Sequence, residues 1–110
     1  MFYVFLAEGF EETEALATLD VMRRAKLDVL TVGVTGELVT SSHKVTVKAD
    51  ITPDKIDLDN IEGVVLPGGM PGTLNLEKAD CVINTVKYCY DNDKIVAAIC
   101  AAPSILGHLG

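Results

Sequence analysis

Cys100 is the residue of this 110-residue chain whose type and surroundings best suit covalent chemistry. It lies at the centre of the segment AICAA (residues 98–102), with small residues on both sides. Small neighbours permit the tight strand-to-helix turn called a nucleophile elbow, and the start of a following helix favours thiolate over thiol. The alternative is a buried, unreactive cysteine at the end of an apolar strand.

A second candidate feature is the turn Pro67-Gly68-Gly69, which follows another apolar segment. Two glycines at a strand end let the backbone come close to a ligand and direct N–H groups at it. Together with the N–H of Ala101, such groups would suit an oxyanion hole. An ordinary turn is the alternative interpretation of so short a motif.

The third feature is an acidic cluster, Glu11, Glu12 and Glu14, after the first apolar segment. If one of these carboxyl groups lies next to a thiolate, one member of the pair should hold a proton and hydrogen-bond the other. A solvated helix N-terminus is the alternative and suits two of the three glutamates in any case. The helical periodicity leaves open which glutamate points inward.

The remaining cysteines are predicted to have no catalytic role, and the histidines are not predicted to bind a metal. Cys81 and Cys89 lie on or beside a predicted helix and are interpreted as packing residues. Three cysteines without a Cys-x-x-Cys pair disfavour a disulfide framework and favour a reducing cytoplasm. His43 and His108 lack the spacing of metal ligands, so we expect no metal site.

Composition excludes several classes of function. The net charge of −7 and the pI near 4.6 disfavour binding to nucleic acid and to an anionic membrane surface. No apolar run approaches the roughly 18–20 residues that span a bilayer, and no basic segment precedes the apolar N-terminus as in a signal peptide. With 49% hydrophobic residues, the chain is predicted to form one globular domain over residues 1–110.

The candidate residues follow segments that alternate between strand and helix patterns. This alternation predicts βαβ units, a parallel sheet covered on both faces and a ligand site beyond the carboxyl ends of the strands. Core strands are predicted at 2–7, 27–34, 63–66 and 94–99, shorter strands at 37–40 and 44–48, and helices around 15–26, 80–91 and 104–109. Because the last helix has only about two turns, we expect the chain to be the N-terminal part of a longer domain.

Four segments resemble the ThiJ/PfpI superfamily, in particular the DJ-one branch of Parkinsonism-associated deglycases and their bacterial relatives. They are LAEGFEETEA, VMRRAKLDV, VVLPGGMPGTLNL and AAICAAPSIL, in this order along the full chain. The resemblance implies an α/β flavodoxin-like three-layer sandwich, related to class I glutamine amidotransferases, with a mostly parallel sheet. It also implies a homodimer.

The resemblance assigns roles residue by residue. Cys100 would be the elbow nucleophile, and Glu14 a protonated carboxyl group hydrogen-bonded to its sulfur. The N–H groups of Gly69 and Ala101 would form the oxyanion hole, with Gly68 in the substrate pocket. The implied activity is a cofactor-free glyoxalase or deglycase acting on small aldehydes or glycated proteins, together with chaperone-like protection against oxidative stress.

The chain departs from the family pattern at several positions. A histidine directly follows the cysteine in the peptidase branch, whereas Ala101 stands here, which disfavours protease activity. His43 stands where the pocket often has an arginine. The histidine partner of the cysteine would lie beyond Gly110, and His108 does not match it.

Two alternatives to an aldehyde-directed enzyme remain. One is an oxidant-sensing or chaperone-like protein that uses the same cysteine. The other is a glutamine-amidotransferase-like domain, which the acidic cluster fits less well.

Overall fold

The computed structural model describes residues 1–109. In chain order its helices and strands are β1 (Phe2–Leu6), α1 (Glu12–Arg24), β2 (Val29–Gly33), β3 (Leu38–Thr40), β4 (Thr46–Lys48), β5 (Gly63–Leu66), α2 (Gly72–Lys78), α3 (Asp80–Asp91), β6 (Ile95–Ala98) and α4 (Pro103–Leu109). Two short 3-10 turns, Pro53–Lys55 and Leu58–Asn60, precede β5.

Four strands form one parallel sheet in the order β2-β1-β5-β6. The chain passes from β1 to β2 on one side and returns to β5 on the other. The crevice between the carboxyl ends of β1 and β5 is therefore the switch point at which such sheets bind ligands. The predicted flavodoxin-like α/β fold is confirmed, and the three candidate features follow the ends of β1, β5 and β6.

Each face of the sheet carries its own apolar layer. Strand β1 is buried along its whole length, as expected of a parallel strand covered on both faces. One face packs against α2, α3 and α4, and its fully buried members include Phe5, Leu66, Leu76, Val82 and Ile105. The other face packs against α1 and the β3–β4 hairpin, through Val4, Leu6, Phe10, Ala15 and Val39.

Helix α1 begins at the acidic cluster and ends at a pair of arginines. The Glu11 side chain accepts a hydrogen bond from the Thr13 N–H (2.8 Å), which caps the helix. At the other end, Arg23 donates to Asp50 Oδ2 at 2.8 Å. Asp50 Oδ2 also accepts from the N–H and hydroxyl of Thr31, at 2.9 and 3.0 Å, so the end of α1 is tied to β2.

Helix α2 is the one element that the sequence analysis did not predict. It has seven residues and starts directly after Pro71, where Pro and Gly are typical of a turn. Leu76 is fully buried, so tertiary packing stabilises a segment that is too short to form a helix alone. The predicted strands at 37–40 and 44–48 are shorter, at Leu38–Thr40 and Thr46–Lys48.

Helix α1, with 13 residues, is the longest α-helix among residues 1–109. Crossing a bilayer takes about 20 apolar residues. None of the helices described is long and apolar enough to span a membrane.

Candidate active site

Cys100 occupies a strained turn directly after β6. Its φ of 59° lies in the left-handed region, which costs a residue with a side chain about 1–2 kcal/mol. The Ile99 N–H donates a hydrogen bond to the Leu66 oxygen of β5 at 3.1 Å. The Ala102 N–H donates to the Ile99 oxygen at 3.0 Å, which closes the turn. The turn therefore lifts an exposed cysteine off the end of the sheet, as a nucleophile elbow requires.

Gly68, in the loop after β5, lies close to this turn. A Cβ added to Gly68 would lie 2.9 Å from Cys100 Cβ and 2.9 Å from the Ile99 oxygen. It would also lie 2.7 Å from Glu14 Oε1. A hydrogen side chain is thus what allows Glu14 and the cysteine turn to flank the same backbone atom.

Glu14 is the member of the acidic cluster that points toward the cysteine. Its Oε1 accepts a hydrogen bond from the Gly68 N–H at 2.9 Å, and the residue is half-buried. Within residues 1–109, no hydrogen bond joins its carboxyl group to Cys100. The structure therefore brings both predicted residues next to Gly68, and the predicted bond to sulfur is not formed among the described residues.

The other two glutamates have separate structural roles. Glu11 caps α1, as described above, and its N–H donates to the Gly68 oxygen at 2.9 Å. Glu12 contacts His43 Nδ1, and its second oxygen accepts from the His43 N–H at 3.4 Å. Tertiary contacts thus resolve the question that helical periodicity left open: Glu14 faces the β5 loop and Glu12 the β3–β4 hairpin, while the Glu11 side chain caps its own helix.

The first loop and the β5 loop touch backbone to backbone. The Gly72 N–H donates to the Gly9 oxygen at 3.2 Å. A Cβ on Gly9 would lie 2.4 Å from Pro71 Cδ, and one on Gly69 would lie 2.6 Å from the Glu11 nitrogen. Gly9 and Gly69 also have φ of 87° and 102°. These glycines let the first loop pack closely against the β5 loop, which is a role that the sequence analysis did not assign to Gly9 or Gly72.

The N–H groups of Gly69 and Ala101 are candidates for binding an oxyanion near the cysteine. Among residues 1–109, no hydrogen bond is donated by the N–H of Gly69 or of Ala101. The N–H of Gly68 differs, because Glu14 already accepts from it. The pair predicted for an oxyanion hole is thus among the free donors of this loop and turn, as are the N–H groups of Met70 and Cys100 within the described residues, and Gly68 contributes by its lack of a side chain.

His43 lies at the tip of the β3–β4 hairpin, beside the acidic cluster. Its Nδ1 contacts Glu12 and is 3.7 Å from Glu11 Oε2. A hydrogen bond with the Ser41 side chain is the main cause that lowers the pKa of the Glu12 carboxyl group, and His43 adds to it. Glu12 therefore stays ionised next to the imidazole.

The same three side chains could hold a metal ion. The ligand atoms of Glu11, Glu12 and His43 lie within 4.8 Å of one another, although the residues lack metal-ligand spacing along the chain. The contact between His43 Nδ1 and Glu12 already accounts for this grouping without a metal ion.

The other two cysteines are packed into the helical layer. Cys89 is fully buried and Cys81 partly so. Burial raises the pKa of both thiols, which disfavours the reactive thiolate. The second histidine, His108, contacts Glu77 of α2 and so joins α4 to that helix.

The chain is similar to known proteins over its whole length. The sequence profile of the DJ-1/PfpI family matches residues 2–110. Protein dj-1beta of Drosophila melanogaster is 35% identical over 108 residues, which are 97% of this chain and 58% of that protein.

Solved structures are also similar to this chain. Oxidized DJ-1 of Toxoplasma gondii superimposes with a TM-score of 0.94 at 32% identity. A DJ-1 superfamily protein of Salmonella typhimurium, solved as a cysteine-to-alanine mutant, gives 0.93 at 37% identity. Each comparison covers 99% of this chain and 60% of the other, so the chain spans less than two thirds of these relatives.

Proposed function

This chain belongs to the DJ-1/PfpI family, and from that membership and the position of Cys100 we propose that it acts through this cysteine on small reactive aldehydes. The reaction is the cofactor-free conversion of glyoxal or methylglyoxal to a hydroxy acid, which protects other molecules from glycation. The observation that carries the proposal is the convergence of Cys100 and Glu14 on Gly68.

The reaction would begin with addition of the Cys100 thiolate to the aldehyde carbon of methylglyoxal. A C–S bond forms, and the carbonyl π electrons move to oxygen, giving a hemithioacetal oxyanion. Hydrogen bonds from the Gly69 and Ala101 N–H groups would stabilise that charge, an effect worth about 10²–10³ in rate for one donor.

Glu14 would then move protons between carbon and oxygen. Protonated Glu14 first gives its proton to the oxyanion and becomes a carboxylate. The carboxylate takes the proton from the former aldehyde carbon and returns it to the neighbouring carbon, while the hydroxyl proton passes to the neighbouring oxygen, which leaves a thioester of the hydroxy acid. Water hydrolyses the thioester, releasing lactate and the free thiol. The net change is addition of one water to methylglyoxal, without any oxidant or reductant.

The decisive experiment replaces Cys100 by serine and follows methylglyoxal consumption and lactate formation. We expect loss of turnover with an unchanged circular dichroism spectrum. Turnover equal to that of the unmodified chain would refute the mechanism, because a serine hydroxyl without an adjacent base is a much weaker nucleophile than a thiolate.

An oxidant sensor is the second candidate, since Cys100 is the exposed cysteine and a relative was solved as oxidized DJ-1. In this case peroxide oxidises the thiolate in two steps to a sulfinate, adding two oxygens and releasing water each time. Intact-mass analysis after mild peroxide treatment separates the candidates. Gain of two oxygens at Cys100 in a chain without aldehyde turnover favours the sensor.

The proposal also covers the cellular compartment, the oligomeric state and the partner proteins. Free cysteines suit a reducing cytoplasm, where reactive aldehydes and glycated proteins arise. We further propose a homodimer, which family membership supports, and chaperone-like protection of partner proteins as a secondary role. Gel filtration with light scattering tests the dimer.

A further inference from the structure

Each of the two residues predicted for the oxyanion hole is hydrogen-bonded to the first turn of the helix that follows it. In the β5 loop, the Thr73 N–H of α2 donates to the Gly69 oxygen at 2.9 Å. After β6, Ser104 of α4 donates to the Ala101 oxygen, through its N–H at 3.2 Å and through its hydroxyl at 2.9 Å. A shift of either helix therefore moves the residue that carries one of the two N–H donors.

Helices α2 and α4 are joined to each other at the ends that lie away from the cysteine turn. Both run in the same direction, because each follows the carboxyl end of one of two neighbouring parallel strands, β5 and β6. Leu76 of α2 and Ile105 of α4 belong to the same buried apolar layer. Near the last residue of each helix, His108 Nδ1 contacts Glu77 Oε2. Within residues 1–109 this contact is the one side-chain hydrogen bond between the two helices.

The spacing along both helices relates this contact to the bonds in their first turns. Glu77 follows Thr73 by four residues, and His108 follows Ser104 by four residues. Residues that are four positions apart lie on the same face of a helix. The contact therefore joins the two helix faces whose first turns hold the oxyanion-hole residues.

We propose that Glu77 and His108 are positioning residues that set the separation of the Gly69 and Ala101 N–H groups. This separation matters because both donors must point at the same developing oxyanion. The role rests on the proposed aldehyde chemistry, and the two residues act on it through their helices. Exposed charged contacts add little to global stability, and the His108 side chain is 68% exposed. We therefore expect the contact to affect turnover more than folding.

Backbone amide chemical shifts test the connection between the helices without any substrate. His108→Ala should shift the amide resonance of Gly69, although the substitution lies on the other helix. Glu77→Ala should likewise shift the amide resonance of Ala101. The double variant with Glu77→His and His108→Glu restores the contact and should return both resonances toward their original positions. Lys78→Ala, at the neighbouring exposed position of α2, is the matched control and should move neither resonance.

Steady-state kinetics with methylglyoxal test the consequence for turnover. We expect each single variant to lower kcat about three- to tenfold with little change in KM, less than the loss of about 10²–10³ for a whole donor. The exchanged pair should recover most of this loss, whereas a merely structural role would lower the melting temperature and leave kcat unchanged.

Two results would overturn the proposal. One is a kcat in the single variants equal to that of Lys78→Ala, and the other is a set of amide shifts confined to the substituted helix. An unmodified chain without aldehyde turnover would contradict the proposed function alone. The amide shifts across the two helices would then decide whether Glu77 and His108 position the two N–H groups.

Discussion

Glu14 and Cys100 both lie next to Gly68, which has no side chain to separate them from its backbone. The Gly68 N–H donates to Glu14 Oε1, and the Gly68 Cα faces the cysteine turn so closely that a methyl group would not fit. A carboxyl group from the first turn of α1 and a thiol from the turn after β6 thereby share one short backbone segment. Variants at these positions test whether this spatial arrangement determines activity.

Gly68→Ala is expected to disrupt the site more than the fold. The new methyl group would meet Glu14 Oε1 and Cys100 Cβ within 3 Å, so the two loops must separate. We expect aldehyde turnover to fall about 10²-fold and the free energy of unfolding to fall by about 1–3 kcal/mol. Gly107→Ala is the matched control, since nothing lies within 4 Å of its added Cβ. Equal turnover in both variants would contradict the close approach.

Glu14→Gln should remove proton transfer while keeping the loop contact. A glutamine amide oxygen can still accept from the Gly68 N–H, so the melting temperature should change little. Turnover should fall about 10²–10⁴-fold, the usual contribution of a positioned acid or base. Glu12→Gln serves as control, because Glu12 contacts His43 and not the β5 loop. A Glu14→Gln variant with full turnover would exclude Glu14 as the proton carrier.

Alkylation should distinguish the three cysteines. Cys100 is exposed, whereas burial raises the pKa of the Cys81 and Cys89 thiols. Under native conditions iodoacetamide should modify Cys100 first and leave Cys89 unmodified until the chain unfolds. Peptide mass spectrometry over a time course measures the order. Early modification of Cys89 would show that the helical layer opens locally.

Asp50 is expected to make stability depend on acid pH. Burial by itself raises the pKa of Asp50, but the hydrogen bonds from Thr31 and the charge of Arg23 outweigh it, so the pKa is lowered. A lowered folded-state pKa means that this stabilisation is complete above the unfolded value of about 3.9 and is lost as the pH falls through the folded-state value.

Asp50→Asn should therefore be destabilised at pH 7 by about 1–2 kcal/mol, since a charged acceptor is replaced at a partly exposed site. Urea unfolding at several pH values measures this. The difference between the variant and the unmodified chain should shrink below about pH 4. A difference that stays constant down to pH 2 would mean that the carboxylate charge is not the cause.

Several properties of this protein could be read from its sequence because they depend on local patterns. Apolar runs separated by helical segments predict a parallel α/β sheet, and small residues around Cys100 predict a sharp turn after its last strand. Four motifs in order identified the family. Each of these signals involves residues a few positions apart, so none required knowledge of long-range contacts.

Only the tertiary structure determined which loops and side chains contact one another. Glu11, Glu12 and Glu14 have similar neighbours in sequence. Only contacts with loops about 30 to 55 residues away place Glu14 against Gly68 and Glu12 against His43. Helix α2 forms because Leu76 is buried, a stabilisation that seven residues cannot provide for themselves. The order of the four strands in the sheet likewise depends on tertiary packing, since each strand segment is apolar and short.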